Sequence, residues 1–300
     1  MRSVRALAPA KINWTLEVIG RREDGFHELR SVLQTVSLCD DITVAESDEL
    51  RLEVTGLLSG LHGLPVEQNL AVRAYEALAT ELERDEPVTI TIEKRVPASA
   101  GLGGGSSDAA AVMRALLALW DEQLPQARLR ELAADIGSDV PFFVECGTVM
   151  AAGRGEELTI LSEAPRKEIV LLTRTHDAPD KTASMFGALE AQDYLDGAAS
   201  LALASIFNHR VPYGDRQLVN SFERPARLRF PGLAEDARAL EEATGRQAHL
   251  AGSGPSLFAA LEDEERARWA ANRLRSEGRQ AIYCRTLASV EALRLTVTAD

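Results

Sequence analysis

The sequence predicts an α+β fold in two lobes. Its first fifty residues repeat apolar side chains with the two-residue period of β-strands, and later segments change to the helical period of about 3.6 residues. Strands and helices then follow in mixed pairs, without the regular alternation that builds a doubly wound parallel sheet. Because 300 residues exceed a single core of about 150 residues, we expect one domain over residues 1–160 and a second over residues 161–300.

The N-terminal half is predicted to begin with a sheet. Ile12, Trp14, Leu16 and Val18 alternate with mostly polar neighbours, as they would in a half-buried strand. The cluster at 21–25 is rich in turn-forming residues. Further strands are predicted at 29–38, 42–45, 50–54 and 88–92, and helices at 66–84, 107–120 and 126–136.

The C-terminal half repeats this mixture of elements. A strand is predicted at 169–173, and helical patterns begin at Lys181, Ala198 and Leu233. No internal repeat and no low-complexity linker marks a boundary between the halves. The remaining predicted elements are strands at 248–250, 256–261 and 281–285 and a helix at 263–277.

Composition argues against several classes of protein. Hydrophobic residues make up 45% and charged residues 26%, the balance of a globular chain. The net charge of −13 argues against a nucleic acid as partner, since nucleic-acid binders carry a basic surplus. Three cysteines without a CxxC pair argue against a disulfide framework or a zinc cage. No apolar run approaches the ~20 residues of a membrane span and no signal peptide is recognised, so we expect no membrane partner and a cytoplasmic location.

The strongest local signal is a glycine-rich loop at 97–108 that runs into a predicted helix. Four glycines and two serines within 101–107 let the backbone approach a ligand closely, and the positive end of the helix dipole follows, so the segment is shaped to bind phosphate. The simpler alternative is a flexible loop with Ser107 or Asp108 as an ordinary N-cap. The loop lacks the lysine of a Walker A motif, and residues 93–100 separate its glycines from the strand, unlike a Rossmann fingerprint.

Two further segments place charged side chains among apolar ones. Asp139 lies in a short loop of small and apolar residues, which would partly desolvate its carboxylate and suit a general base, or equally an N-cap. Lys11 and Asn13 lie two residues apart and therefore share one face of a strand, opposite Ile12. A single lysine in such a place is usually a solvated charge, so its role depends on its neighbours.

Two other motifs are open to a binding or a structural interpretation. Phe26 and His27 could stack on a base and hydrogen-bond its edge, although such a pair more often serves packing. The second glycine turn, at 251–256, could face a phosphate or simply close a β-turn.

Together these motifs resemble the GHMP superfamily of small-molecule kinases. The resemblance rests on AKIN at 10–13, PASAGLGGGSSDAA at 97–110, IGSDVPFF at 136–143 and AGSGPS at 251–256, in order along nearly the whole chain. Within the superfamily, PAKIN at 9–13, REDGFH at 22–27 and QNL at 68–70 are similar to members that phosphorylate 4-diphosphocytidyl-2-C-methyl-D-erythritol in non-mevalonate isoprenoid biosynthesis. This implies the two-domain architecture of these kinases, with the active site between the lobes.

The resemblance also implies a donor site and a catalytic pair. The phosphoryl donor would be ATP with Mg²⁺, whose protein ligand the sequence does not identify. Asp139 would be the catalytic carboxylate facing the acceptor hydroxyl, and Lys11 its charged partner. Asn69 and Leu70 would lie near the adenine, and the phosphates would be held by Pro97, Ala98, Ser99, Ala100, Gly101, Leu102, Gly103, Gly104, Gly105, Ser106 and Ser107.

The acceptor implied by the resemblance carries a cytidine diphosphate group and is phosphorylated on its 2-hydroxyl. Asn13 would hold this acceptor. Phe26 and Phe186 would stack on opposite faces of the cytosine, and His27 would hydrogen-bond its edge. Three departures from the family's pattern bear on this side of the site: Phe26 where a tyrosine is frequent, the segment 173–181, and Asn-Ser-Phe-Glu at 220–223.

Two alternatives remain open on the sequence. The first is another kinase of the superfamily, acting on homoserine, a mevalonate derivative or a sugar, none of which carries a cytosine for residues 26 and 27 to bind. The second is a regulator that binds nucleotide without catalysis, which would need neither Lys11 nor Asp139. The sequence gives no indication of the oligomeric state.

Overall fold

The computed structural model of the chain describes residues 2–56, 68–174 and 181–299. Within these residues the fold is α+β, as the sequence predicts, with helices packed on a seven-stranded and a four-stranded sheet. In the same part of the chain, no helix combines the length and the apolar character needed to cross a membrane. The predicted helix at 66–84 extends into residues 66 and 67, and the unusual segment 173–181 contains 175–180, all of which lie outside the described residues.

The larger sheet is built around a long antiparallel hairpin. Its strands are β1 (Arg2–Arg21) and β2 (His27–Glu46), which pair along almost their whole length. The strands predicted at 29–38 and 42–45 are therefore one continuous strand, and the polar residues between them lie within it. The other members are β3 (Arg51–Thr55), β4 (Val88–Glu93), β5 (Thr148–Gly153), β6 (Glu157–Ile160) and β11 (Leu295–Ala299). The order of the strands is β11-β1-β2-β4-β3, and a branch is formed by β5, which pairs with β2, and β6, which pairs with β5.

In the described residues of the N-terminal half, four helices pack on the larger sheet and on one another. The predicted helix at 126–136 is confirmed, whereas the one predicted to begin at Ser107 begins three residues earlier. The difference arises because the last two glycines of the loop adopt helical geometry as the first turn. These helices are α1 (Leu70–Glu81), α2 (Gly104–Leu119), α3 (Gln126–Ile136) and α4 (Val140–Glu145).

The smaller sheet lies in the C-terminal half. Its strands are β7 (Glu168–Leu172), β8 (His249–Leu250), β9 (Leu257–Leu261) and β10 (Ala281–Arg285). Their order in the sheet is β10-β7-β9-β8. The helices of this half are α5 (Lys181–Gly187), α6 (Ala198–Asn208), α7 (Glu223–Arg229), α8 (Leu233–Thr244), α9 (Glu264–Ser276) and α10 (Ser289–Ala292). The sequence pattern did not predict β5, β6, β11, α7 or α10.

A register shift between Pro9 and Ala10 divides β1 into two parts. Before the shift, Val4 and Ala8 pack in the core of the N-terminal half. After it, Ala10 and Trp14 pack in a core that includes residues of β7 and β9. The strand β1 therefore contributes side chains to both cores. The last strand of the chain, β11, pairs with β1 in the larger sheet. The predicted division near residue 160 falls between β6 and β7 and stays a prediction.

The half-buried strand predicted at 12–18 is wrong in one respect, because both faces of β1 are covered there. Asn13, Thr15 and Glu17, on the face opposite Trp14, are buried as well. The helix α6 supplies the cover: Ser200 donates to the Glu17 carboxylate from its backbone N at 2.7 Å and from its hydroxyl at 2.6 Å. Polar residues can be buried here because they hydrogen-bond to one another and to α6.

Candidate active site

The glycine-rich loop ends as the first turn of α2. Gly103 is the N-cap, in the left-handed conformation with φ 75°, and no side chain caps the helix. The backbone N–H groups of Gly104, Gly105 and Ser106 therefore point out of the helix end, where the dipole favours an anion. The simpler interpretation of Ser107 as the N-cap is wrong, because Ser107 is fully buried inside the helix.

Most of the loop offers its backbone rather than its side chains. Ala100, Leu102 and Ser107 are buried, so their side chains pack in the protein, whereas Ser99 and Gly105 are exposed. Leu102 also accepts a hydrogen bond from the backbone N of Lys11 at 3.0 Å. The loop is thus attached directly to the strand that carries Lys11.

The two glycine turns lie against each other. A Cβ atom on Gly101, which has φ +82°, would lie 2.8 Å from the Ala251 carbonyl oxygen. A Cβ on Gly252, which has φ +59°, would lie 2.7 Å from the Gly101 oxygen and 3.1 Å from Lys11 Nζ. The segment 251–256 is therefore a tight turn, and a 3.0 Å hydrogen bond from Gly254 N to Ala251 O closes it. The same turn lies next to Lys11. Whether it faces a phosphate stays a prediction.

Asn220 holds the second glycine turn in place. Its amide nitrogen donates to the carbonyl oxygens of Leu250 at 3.1 Å and Gly252 at 2.8 Å. The neighbouring Ser221 accepts a hydrogen bond from Val18 N at 2.9 Å and so attaches the same segment to β1. The sequence departure at 220–223 therefore concerns residues that support the site.

Lys11 is a buried amine in a polar network. Its Nζ donates to Asn13 Oδ1 at 2.8 Å, and Asn13 Nδ2 donates to the Ser31 hydroxyl at 2.8 Å. Burial lowers the pKa of Lys11, and the Asp139 carboxylate partly offsets this by raising it. The structure thus brings Lys11 and Asn13 together as predicted for one strand face, and brings Asp139 into electrostatic range of Lys11.

Asp139 itself is exposed, so the predicted partial desolvation of its carboxylate is wrong. The apolar residues that follow it, 140–143, are turned into the core as the buried helix α4 and leave Asp139 at the surface of the site. Asp139 precedes α4 at the N-cap position, but its side chain makes no capping bond. An exposed carboxylate that is not used for capping is available to a ligand.

Asn69 and Leu70 lie at the start of α1, close to the glycine loop. Asn69 is the N-cap and accepts a hydrogen bond from Ala71 N at 2.9 Å through Oδ1. Leu70 Cδ1 lies 3.9 Å from a Cβ position on Gly105 and 4.0 Å from one on Gly137. The starts of α1 and α2 and the loop before Asp139 therefore converge, and the adenine contact stays a prediction.

Two of the residues predicted to bind cytosine, Phe26 and His27, lie at the hairpin between β1 and β2, and the third, Phe186, lies on α5. The His27 ring contacts Phe186, with centroids 5.0 Å apart and planes tilted by 31°, and burial lowers the pKa of His27. Phe26 is 54% exposed, with the Arg154 guanidinium carbon 4.8 Å from its ring centroid. The contact observed is between His27 and Phe186, and the stacking of a base between Phe26 and Phe186 stays a prediction.

Sequence reasoning missed a buried ionic network behind the glycine loop. Lys94 Nζ donates to Asp40 Oδ2 at 2.5 Å and to Asp108 Oδ2 at 2.7 Å. Asp40 Oδ1 also accepts hydrogen bonds from the backbone N of Arg95 and Val96. These side chains come from β2, from the segment after β4 and from α2, so no local pattern could have joined them.

A second missed residue, Arg114 on α2, connects the two segments that carry the catalytic candidates. It is buried and donates to the Phe143 carbonyl oxygen, on α4, and to the Leu7 carbonyl oxygen, on β1, both at 2.8 Å. Burial lowers the pKa of Arg114. The strand of Lys11 and the helix that follows Asp139 are thus held by one guanidinium.

Comparison with known proteins decides the family. Residues 69–147 match the family model of the GHMP kinases N terminal domain. A 4-diphosphocytidyl-2-C-methyl-D-erythritol kinase of Dehalococcoides mccartyi is 38% identical over 287 residues, which cover 95% of this chain and 99% of the relative. The chain belongs to the 4-diphosphocytidyl-2-C-methyl-D-erythritol kinase family. A relative of the same name from Geobacter sulfurreducens is 37% identical over 289 residues, covering 96% and 100% of the two chains.

Solved structures agree with membership of this kinase family. A crystal structure of a 4-(cytidine 5'-diphospho)-2C-methyl-D-erythritol kinase has a TM-score of 0.78 and 34% identity, covering 94% of this chain and 98% of that one. A homoserine kinase from Cytophaga hutchinsonii has a TM-score of 0.74 at 17% identity, covering 99% and 97% of the two chains, and so shares the fold. The family and superfamily that the sequence motifs indicate are confirmed.

Proposed function

We propose that this protein transfers the γ-phosphoryl group of ATP to the 2-hydroxyl of 4-diphosphocytidyl-2-C-methyl-D-erythritol, within non-mevalonate isoprenoid biosynthesis. One observation carries the proposal: relatives of this name match nearly the full chain, and in this chain the uncapped start of α2 accompanies Lys11 and Asp139, which lie within electrostatic range of each other. A cytoplasmic location and the division into domains at 1–160 and 161–300 stay predictions.

Lys11 and Asp139 are assigned complementary parts in the transfer. The Asp139 carboxylate would accept the proton of the acceptor hydroxyl as the oxygen attacks the γ-phosphorus. The Lys11 ammonium, buried and fixed by Asn13, would offset the negative charge that develops on the phosphoryl oxygens. Burial lowers the pKa of Lys11, but it also strengthens the attraction between the ammonium and the phosphoryl oxygens, because a charge is screened less where water is excluded.

ATP would bind with its phosphates at the start of α2 and its adenine near Asn69 and Leu70. The helix end supplies backbone donors, and the two apposed glycine turns leave no room for side chains there. Among the described residues, no group of three or more acidic, histidine or cysteine side chains could hold a metal alone. Mg²⁺ bound with ATP would be held by phosphate oxygens and water, and it would neutralise phosphate charge.

The acceptor would lie between Asn13 and the aromatic residues at the hairpin. Asn13 uses Oδ1 and Nδ2 within the protein, but a second lone pair and a second hydrogen remain by its chemistry for an acceptor hydroxyl. The lowered pKa of His27 keeps its imidazole neutral, so it can both donate to and accept from a cytosine edge. This arrangement is what distinguishes a cytidine-bearing acceptor from homoserine or mevalonate.

Identification of the product tests the proposed reaction. The protein would be incubated with Mg-ATP and 4-diphosphocytidyl-2-C-methyl-D-erythritol, and the product examined by ³¹P and ¹³C NMR. We expect one new phosphomonoester signal and coupling of its phosphorus to the carbon that bears the methyl group. Coupling to another carbon would overturn the assigned hydroxyl and leave the kinase activity intact.

Replacement of His27 tests the assigned cytosine contact. His27→Ala should raise the KM for the cytidine-bearing acceptor about tenfold, the effect of one lost hydrogen bond, with the KM for ATP within about twofold. The control is His209→Ala, which removes an exposed histidine at the C-cap of α6. Steady-state kinetics with each substrate varied in turn provides the values, and an unchanged acceptor KM in His27→Ala would mean that cytosine is not bound there.

A further inference from the structure

The glycine loop contains no lysine, yet a lysine lies directly behind it. A Cβ atom on Gly104, the first residue of α2, would lie 3.4 Å from Lys94 Nζ. The same ammonium bonds to Asp108 Oδ2, one turn further along α2, and to Asp40 Oδ2 on β2. Lys94 therefore lies against the inner side of the helix end whose outer side faces the proposed phosphate site.

All three side chains of this network are nine-tenths buried or more. Lys94 is 4% exposed, Asp40 0% and Asp108 4%. The network contains two carboxyl groups for one ammonium, and one oxygen of Asp108, Oδ1, is buried without a hydrogen-bond partner. Burial raises the pKa of Asp108 to about 7, against the lowering effect of Lys94. Apolar side chains of similar volume would avoid the desolvation of these charges, so stability alone does not account for the network.

The network connects the segment that leads into the glycine loop, and the first turn of α2, to the strands β2 and β3. Asp40 receives the backbone N–H groups of Arg95 at 2.5 Å and Val96 at 2.7 Å, which fixes the segment leading into the loop. The backbone N of Lys94 donates to Thr55 O, on β3, at 2.8 Å. Lys94 then links this fixed segment to Asp108, so that the first turn of α2 is held from both of its ends: the loop before it and the carboxylate one turn later.

We propose that Lys94 and Asp108 are positioning residues that hold the start of α2 in the geometry required for binding the ATP phosphates. Neither touches the nucleotide: Lys94 acts through Asp108 and through contact with Gly104. The proposal rests on the proposed function for the identity of the nucleotide, and it deepens that function by assigning the support of the phosphate site. It gives a supporting role to Lys94, which lies outside the glycine loop, and to Asp108, the last residue of that loop segment, in addition to the Lys11–Asp139 pair.

Calorimetric titration with Mg-ATP, in the absence of acceptor, tests the positioning role. Asp108→Ala breaks the link and should raise the Kd for ATP about tenfold, whereas Asp108→Asn, which can still accept a hydrogen bond from Lys94, should stay within about threefold of the original protein. The control is Asp41→Asn, since Asp41 is equally buried and adjacent but pairs with Arg5 and Arg95 instead. Circular dichroism and a thermal melt establish that each variant is folded.

The outcome of this titration does not depend on the acceptor. If the acceptor proposed above is wrong, turnover fails but the Kd values for ATP still distinguish the variants. ATP binding by Asp108→Ala at the original affinity would overturn the positioning role. An equal rise in the ATP Kd in Asp41→Asn and Asp108→Ala would overturn it as well.

A second variant covers the case in which Asp108→Ala does not fold. The double variant Lys94→Met/Asp108→Asn removes the ammonium and one acidic charge together and leaves Asp40 with its two backbone donors. We expect an ATP Kd about tenfold higher for this variant as well, with the original affinity again contradicting the proposal.

Discussion

Asp139→Asn should lower kcat by about three orders of magnitude and leave the Kd for ATP within about twofold of its original value. The amide cannot take up the proton of the acceptor hydroxyl, which is the step assigned to Asp139. Because Asp139 is exposed and does not cap α4, the replacement should not disturb folding. Steady-state kinetics gives kcat, and titration with ATP in the absence of acceptor gives the Kd.

Asp135→Asn is the matched control, because Asp135 is an exposed aspartate four residues earlier, on α3. It should retain the original kcat. Loss of ATP binding in Asp139→Asn, with kcat reduced only in proportion to donor occupancy, would instead assign Asp139 to nucleotide or metal binding.

Lys11→Met should lower kcat by about two to three orders of magnitude, because it removes the buried positive charge beside the transferred group. In the original protein, kcat should also fall at alkaline pH. Burial lowers the pKa of Lys11, so the deprotonation that ends activity should occur below the ~10.4 of a free lysine. This alkaline decline should be absent from the residual activity of Lys11→Met. A pH profile of kcat for both proteins is the measurement.

Lys167→Met is the control for Lys11→Met, since Lys167 is also a buried lysine but pairs with Glu262 outside the site. It should change stability without changing the pH profile. An alkaline decline that persists in Lys11→Met would assign the titration to another group and remove the charged role of Lys11.

The sequence predicted the parts of the fold whose signal is local. The helix at 126–136 matches α3 at both ends, and the alternating residues 12–18 lie in β1, because periodicity within one element is visible without knowledge of its neighbours. The strand β5 was missed because its sequence, Thr-Val-Met-Ala-Ala-Gly, does not alternate, and β6 was missed because four residues are too few for their alternation to stand out. The buried second face of β1 depends on α6, nearly two hundred residues later in the chain, and could not be inferred locally.

The candidate site likewise combines residues that a local motif reveals with residues that only the folded chain brings together. The glycine loop and Asp139 are visible as motifs because several functional residues are consecutive. Lys94, in contrast, was not singled out, and Asp108 was considered only as an ordinary N-cap, because their significance lies in contacts with each other and with Asp40 that form only in the folded chain. The exposure of Asp139 also depends on packing: its apolar neighbours were expected to surround it, but they are buried as α4. Long-range contacts thus decide the support of the site and the environment of its charges.

The most direct test of the proposed activity is ADP release by the original protein, measured in a coupled assay with Mg-ATP. 4-Diphosphocytidyl-2-C-methyl-D-erythritol, homoserine, mevalonate and galactose would be compared as acceptors, with a chelator control lacking free Mg²⁺. We expect turnover with the cytidine-bearing acceptor alone, and none after chelation. Turnover with another alcohol and none with the cytidine compound would contradict the proposed acceptor, and no ADP release with any acceptor would contradict the assignment of this chain as an active kinase.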